Sequence, residues 1–429
     1  MTLAPLGSLS QIWDLDRCID SALSNNVRVK KLEIEMKISK LNKDNIKYGY
    51  LPSINAGANN GLNWGQTIDQ FTNEFATKRV QYSSFYLSGG LTLFSGLQNY
   101  YDRRVVEIDF ESQVYNEQIE KRNIKISIAV AYLQCLLNNE ILLIAKESLV
   151  LTKKNHLRML EFINSGREAE FKSLEFESEE KNNEYLILKA KNDLNYSYLL
   201  LQQMMNVQYD SNFTVLPLLD TSAADQAGVG KGILSYPELK LSALEIRKQE
   251  LEIKKSQAKL YPKLSASVSL GSGFSGNNTY VNSNGEILPK PFDTQLNENF
   301  YQSASLSLSI PIFNNNLNAK QIQIDKLILD QEKLNSNEQK NELIKKMEQL
   351  RLEIMNSKAL YESLVKLVTV EEKKFEVQTL SYQKGVESFE KLLIAKNRLF
   401  NSKSQCLQAK YQYMVNQLIE KYYFSSKLQ

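Results

Sequence analysis

One spacing occurs twice in this chain, and few folds can accommodate it. An alternating apolar/polar run ends at Leu93-Phe94, and Gly166 follows 72 residues after Phe94. A second such run ends at Ile312-Phe313, and Gly385 follows 72 residues after Phe313. Between each Phe and its Gly, apolar residues step by 4 and 3, with the two copies offset by 219. In the first copy the steps run through Ile124, Ile128, Ala131, Cys135, Asn138 and Leu142, and on to Thr152, His156, Met159 and Ile163. In the second they run through Leu343, Met347, Leu350, Ile354 and Ser357, and on to Glu371, Phe375, Gln378 and Tyr382. A 4-3 step is a heptad seam, so each copy is expected to be one long helix packed as a coiled coil, interrupted at Asn138, Ser357 and Glu371. A helix of about 70 residues reaches roughly 100 Å, a length that globular domains rarely need.

Four segments alternate with period two. Ile54, Ala56 and Ala58 oppose Ser53, Asn55 and Asn59, while Phe85, Leu87, Leu91 and Leu93 oppose Tyr86, Ser88 and Thr92. Leu264, Ala266, Val268 and Leu270 oppose Ser265, Ser267 and Ser269. Leu306, Leu308, Ile310 and Ile312 oppose Ser305, Ser307 and Ser309. These are half-buried strands with one aliphatic face. The other face is small and polar with hardly a charge, which suits a polar lumen better than the Lys/Glu surface of a soluble sheet. The strands form two pairs joined around Gly61–Gln81 and Gly271–Tyr301, loops far longer than hairpins normally use. Pro52 and Pro262 stand at strand starts, where a missing N–H is tolerated.

The remainder reads as helix: Asp14 to about Tyr48, Pro237 to about Leu260, and returning helices after Gly166 and Gly385. Eight Pro and seventeen Gly in 429 residues suit long uninterrupted helices. Residues 207–235 lack a period and link the halves. The expected organisation is two tandem structural repeats, 11–220 and 221–429, forming one intertwined domain. Lys and Arg total 52 against 49 Asp and Glu, which argues against a nucleic-acid partner. One histidine and three scattered cysteines, Cys18, Cys135 and Cys406, leave no metal-ligand spacing and no disulfide framework. No apolar run of about 18 residues is present, so no membrane helix is expected, although β-barrels escape that test. Met1–Ser10 lacks the pattern of a signal peptide.

The order of elements, from Trp13-Asp14-Leu15 through Tyr423, resembles the TolC-like outer-membrane efflux and export channel family. Local pieces that carry the resemblance are Ala22-Leu23-Ser24-Asn25-Asn26, Tyr50-Leu51-Pro52-Ser53, Leu93-Phe94-Ser95-Gly96, Ser235-Tyr236-Pro237-Glu238-Leu239, Leu260-Tyr261-Pro262-Lys263 and Ile310-Pro311-Ile312-Phe313-Asn314. The resemblance implies an α+β membrane protein. Its homotrimer would form a twelve-stranded β-barrel, four strands per protomer, continued by a long α-helical coiled-coil barrel. It further implies residence in the outer membrane of a Gram-negative bacterium, in contact with its lipid and extending into the periplasm. The channel would be passive, docking on a periplasmic adaptor and an inner-membrane transporter. On that resemblance Gly166, Arg167, Glu168, Gly385, Val386 and Glu387 mark the periplasmic tip turns and adaptor-docking residues. Family members that export drugs carry constricting aspartates after the second tip glycine. Those positions fall here on Lys391 and Ile394, with Glu390 beside them, so an acidic ring does not carry over.

Neither a catalytic constellation nor a cofactor or metal is expected. Glu175, Glu177, Glu179 and Glu180 read as a solvated helix face, and His156 as a seam histidine packed or hydrogen-bonded in the core. Gly271-Ser272-Gly273-Phe274-Ser275-Gly276 resembles a dinucleotide fingerprint only superficially, because no helix or acidic partner follows at the right distance. Tyr82, Phe85, Tyr86, Phe300 and Tyr301 fit an interfacial aromatic girdle or ordinary sheet packing. The alternative function is a cytoplasmic or periplasmic coiled-coil scaffold or tether, with the strands forming a small sheet. The lack of a signal-peptide pattern in Met1–Ser10 fits that alternative, while the uncharged strand faces and paired long loops count against it.

Overall fold

The computed structural model describes residues 12–76, 79–218 and 236–424. Met1–Ser10, read for a signal peptide, lies outside the described residues, as does 219–235 of the linker. In chain order the elements are β1 (Ile12–Trp13), α1 (Leu15–Asn25), α2 (Val27–Asn45), a 3-10 turn (Ile46–Tyr50), β2 (Ser53–Trp64), β3 (Thr67–Ile68), β4 (Phe75–Ala76), β5 (Arg79–Phe94), α3 (Gln98–Asn164) and α4 (Phe171–Met205). There follow β6 (Thr214–Val215), α5 (Pro237–Ala258), β7 (Lys263–Ser275), β8 (Thr279–Val281), β9 (Ile287–Pro289), α6 (Phe292–Glu298), β10 (Tyr301–Ser309), α7 (Leu317–Gln383) and α8 (Phe389–Phe424). The chain divides into two compact units. One gathers residues up to Glu35, Val114–Lys240 and residues from Asn337 onward; the other gathers Met36–Gln113 and Leu241–Ser336. Each draws on both halves of the sequence.

In the helical unit the seam residues face inward. Ile124, Ile128, Cys135, Leu142, Thr152 and Met159 of α3 are buried, as are Leu343, Met347, Leu350 and Tyr382 of α7. Polar seam positions find partners across the helices: Asn138 Nδ2 donates to Asp193 O (3.1 Å), and Asn416 Nδ2 donates to Ser357 Oγ (3.2 Å). A buried amide or hydroxyl without a partner would cost about 1–3 kcal/mol, so these contacts make the interruptions at Asn138 and Ser357 tolerable, whereas Glu371 Oε2 is buried without a hydrogen bond. Both long helices have 67 residues. α3 is also long and apolar enough to cross a membrane by length and composition alone. Within the helical unit, however, α3 turns Ile124, Ile128, Tyr132, Leu133 and Leu136 into the largest cluster, against Leu15, Ile19, Leu201 and Met205.

The first helix is broken where one continuous helix to Tyr48 was expected. Asn26 takes extended backbone and its N–H closes α1 on Ala22 O. Its side chain then accepts from Arg28 N (2.8 Å) to start α2 and donates to Met204 O (2.7 Å). Asparagine is favoured at such caps because its side chain replaces a missing helical partner. β1 pairs in parallel with β6, and the Tyr132 hydroxyl lies 2.6 Å from Leu216 O and 3.1 Å from Trp13 O.

The second unit is built on one antiparallel sheet of order β10-β7-β5-β2. Its strands reach further into the loops than the sequence suggested, β2 to Trp64 and β5 back to Arg79. What remains of the loops is partly ordered as the hairpins β3–β4 and β8–β9 and the helix α6. β10 stops at Ser309, not Ile312, because Pro311 has no N–H for a ladder. The β5–β7 register skips Leu93, a bulge at the helical end of the sheet. Below the sheet, Asp325 of α7 accepts from Ser256 Oγ of α5 (2.5 Å) and Gln321 Nε2 (2.8 Å), tying α5 to α7.

Candidate functional site

Directly paired residues of a sheet point to the same face, so the register sorts every side chain. Ala56 pairs with Leu87, Leu87 with Leu270, and Ala266 with both Leu91 and Leu306. One face therefore carries Ile54, Ala56, Ala58, Phe85, Leu87, Leu91, Leu264, Ala266, Val268, Leu270, Leu306 and Leu308. It is largely uncovered: Ile54 is 70% exposed, Leu306 66% and Val268 52%. The opposite face carries Ser53, Asn55, Asn59, Ser84, Ser88, Thr92, Ser265, Ser267, Ser269, Ser303, Ser305 and Ser307, with no charge among them. Tyr86 lies over Gly57, Tyr82 over Gly61 and Tyr301 over Gly271 on this polar face; a Cβ at any of these glycines would collide with the ring. Those three tyrosines therefore pack on the sheet's polar side and form no girdle on the aliphatic one. Phe85 does lie on the aliphatic side, edge-on to Phe292 of α6 (6.2 Å).

Gly166 and Gly385 end the two long helices in the left-handed region, at φ +71° and +73°. Gly166 N donates to Ile163 O (2.9 Å) and Arg167 N to Phe162 O (2.9 Å). Gly385 N donates to Tyr382 O (3.0 Å) and Val386 N to Ser381 O (2.9 Å). Both are Schellman closures, which glycine favours because a Cβ is strained at that φ. Glu168 pairs with Lys172 and, at the equivalent place, Glu387 with Lys391 (2.7 Å). Val386 is 75% exposed. Glu390, Lys391 and Ile394 lie on the exposed side of α8, while the neighbouring Leu392, Ala395 and Lys396 are buried.

About two turns into α8 lies a buried polar cluster that the sequence did not reveal. Lys396 of α8, 3% exposed, donates to Thr152 Oγ1 of α3 (2.5 Å) and to Glu179 Oε1 of α4 (3.0 Å). Asn183 donates to Glu179 Oε1 (3.2 Å) and accepts from Ser148 Oγ (2.7 Å). Burial holds the Lys396 ammonium below its ordinary pKa, against the opposing pull of Glu179. Nearby His156 meets Glu180 Oε1 (2.8 Å) and Ser173 Oγ (3.0 Å) and stacks on Phe176. Glu179 and Glu180 are thus engaged inside the bundle, correcting the reading of the four glutamates as one solvated face; Glu175 and Glu177 are exposed. The available signal was the i, i+4 pair Glu179/Asn183 lying across from polar seam residue Thr152.

A sheet with an exposed aliphatic side and a polar side of Ser, Asn and Tyr, in one chain with seamed helices closed by glycine turns, has the two-faced pattern of a barrel wall. Residues 232–418 match the family model described as outer membrane efflux protein. That match covers less than half of the chain, and across nearly its whole length the α+β fold is that of solved outer-membrane channels. VceC from Vibrio cholerae superposes with a TM-score of 0.80 at 12% identity, covering 97% of each chain. CmeC from Campylobacter jejuni gives 0.79 at 16% identity, covering 96% of this chain and 85% of that one. The open state of MtrE from Neisseria gonorrhoeae gives 0.75 at 14% identity, covering 99% and 93%. No curated protein matches the chain by sequence.

Proposed function

We propose that this protein is the passive exit duct of a tripartite efflux pump or a type I secretion system in the outer membrane of a Gram-negative bacterium. The observation that carries this reading is the sheet itself. β2 and β10 are open edges twelve and nine residues long, without a charged residue in either. Such edges would pair with other chains unless a closed assembly used them. Closure of three four-stranded sheets, β2 of one copy beside β10 of the next, gives a twelve-stranded barrel with its aliphatic side toward lipid and its Ser/Asn side toward a water-filled lumen.

On this reading the chain is two tandem repeats, each supplying one strand pair and one long helix with its returning partner. The turns at Gly166-Arg167-Glu168 and Gly385-Val386-Glu387 form the periplasmic tip, where an adaptor coupled to an inner-membrane transporter docks. Glu390, Lys391 and Ile394 line the constriction there, with Lys391 already neutralised by Glu387. Energy comes from the transporter, since the chain has no phosphate-binding Gly-Lys-Thr or Gly-Lys-Ser loop. The test is expression in Gram-negative cells followed by membrane fractionation and electrophoresis without boiling. A heat-modifiable trimer in the outer membrane supports the duct; a chain recovered only as a soluble helical oligomer supports the scaffold reading instead.

A further inference from the structure

The residues between β2 and β5 do more than join two strands. A tight turn would suffice for that, and loops this long are commonly functional. Here β3 pairs with β4 through Thr67–Ala76 and Ile68–Phe75. The turn between them is held from within: Asp69 N donates to Glu74 O (3.0 Å), Asn73 N to Asp69 O (2.8 Å), and Phe71 N to Asp69 Oδ1 (3.0 Å). Asn73 takes the left-handed φ of +57° that asparagine tolerates.

This hairpin is also fastened to the sheet. Asp69 is 3% exposed and Ser275, the last residue of β7, is fully buried. The Ser275 hydroxyl donates to the Asp69 carboxylate, and the Ser275 backbone is clamped by Gln295 of α6, accepting at Oε1 (2.9 Å) and donating from Nε2 (3.1 Å). Burying a carboxylate on a surface loop is unfavourable without such partners, so a merely connecting loop would not be expected to carry it. The two connecting loops take opposite sides. Phe292 of α6 meets Phe85 and Phe274 on the aliphatic face. Phe71 instead lies over Gly273 on the Ser/Asn face, where a Cβ on Gly273 would collide with its ring.

We propose that the hairpin Thr67–Ala76 is a second constriction, at the outward end of the duct, and that Phe71 is the residue that sets the size of solute it passes. The proposal rests on the Ser/Asn face being the lumen. Three copies would then place three anchored hairpins across one opening, each presenting a phenyl ring above a wall of Ser and Asn with Tyr82, Tyr86 and Tyr301 lying flat on it. Pore diameter and lining chemistry decide what passes such a ring. With no charge contributed by Phe71, its effect falls on large solutes of any charge and spares small ones.

The experiment uses the full-length protein in intact cells. Ser88→Cys, on the polar face below the hairpin, is placed in a Cys406→Ser background and labelled from outside with a small maleimide and with a long poly(ethylene glycol) maleimide. Phe71→Ala is expected to speed the polymer reaction by at least about tenfold while changing the small-reagent rate by less than about twofold. Asp69→Ala should do the same by releasing the hairpin, and Phe75→Ala, 74% exposed on the same hairpin, should change neither rate. Small-reagent labelling with a polymer rate that Phe71→Ala leaves unchanged overturns the constriction and leaves the duct intact. Failure of both reagents to reach Ser88→Cys, with the protein present in the outer membrane, overturns the duct reading together with the proposal.

Discussion

Replacing Lys396 by methionine isolates the energy of the cluster that joins α3, α4 and α8. Methionine keeps most of the side-chain volume and removes only the ammonium. Thr152 stays satisfied by Ser148 O (3.0 Å) and Asn183 Nδ2 (3.3 Å), but Glu179 keeps only its contact with Asn183. Removing one partner of a buried pair typically destabilises by about 3–5 kcal/mol, because the other charge is left without compensation. The surviving Asn183 contact places this case at about 3 kcal/mol. The loss should appear as local opening of α8, read by hydrogen exchange of its amides near Lys396. At 1.4 kcal/mol per decade, protection there falls by roughly 150-fold. Adding Glu179→Leu removes the stranded carboxylate, and the double variant should recover most of the protection, since apolar replacements of buried pairs are often neutral or stabilising. Protection within a factor of about 3 of wild type in Lys396→Met, or a double variant as exposed as the single one, would refute the reasoning.

Gly166→Ala and Gly385→Ala should each destabilise their helix end by about 1 kcal/mol, from the left-handed φ alone, because nothing lies within 4 Å of the added Cβ. Gly385→Asn should lose less, and hydrogen exchange across the turn distinguishes them. Gly57→Val should displace Tyr86 from the polar face and lower the unfolding temperature of the assembled protein, whereas Gly49→Ala, with open space around it, should not. Burial pushes the Cys18 and Cys135 thiols up from 9.0 to about 12. Because the folded state keeps protons that the unfolded chain releases, their contribution is intact below pH 9.0 and declines as pH rises toward 12. At pH 8 a thiol reagent should therefore modify half-buried Cys406 first and reach Cys18 and Cys135 only on denaturation.

Periodicity alone placed the strands and the long helices, because a period of two or of 3.5 is a direct image of which side chains are covered. The 4-3 seam of α3 and α7 was legible down to its polar interruptions, and Gly166 and Gly385 were legible as helix-ending turns for the same local reason. Strand ends were less so: Ser53–Trp64 and Arg79–Phe94 outrun the alternation, since glycines and tyrosines on the polar face carry no hydropathy signal. What the tertiary structure decided lies in contacts between residues far apart in sequence. Lys396 meeting Thr152 and Glu179, and Asp69 meeting Ser275, join segments separated by up to 244 positions. A lysine or an aspartate in a polar stretch looks solvated until the fold removes its water and supplies a partner.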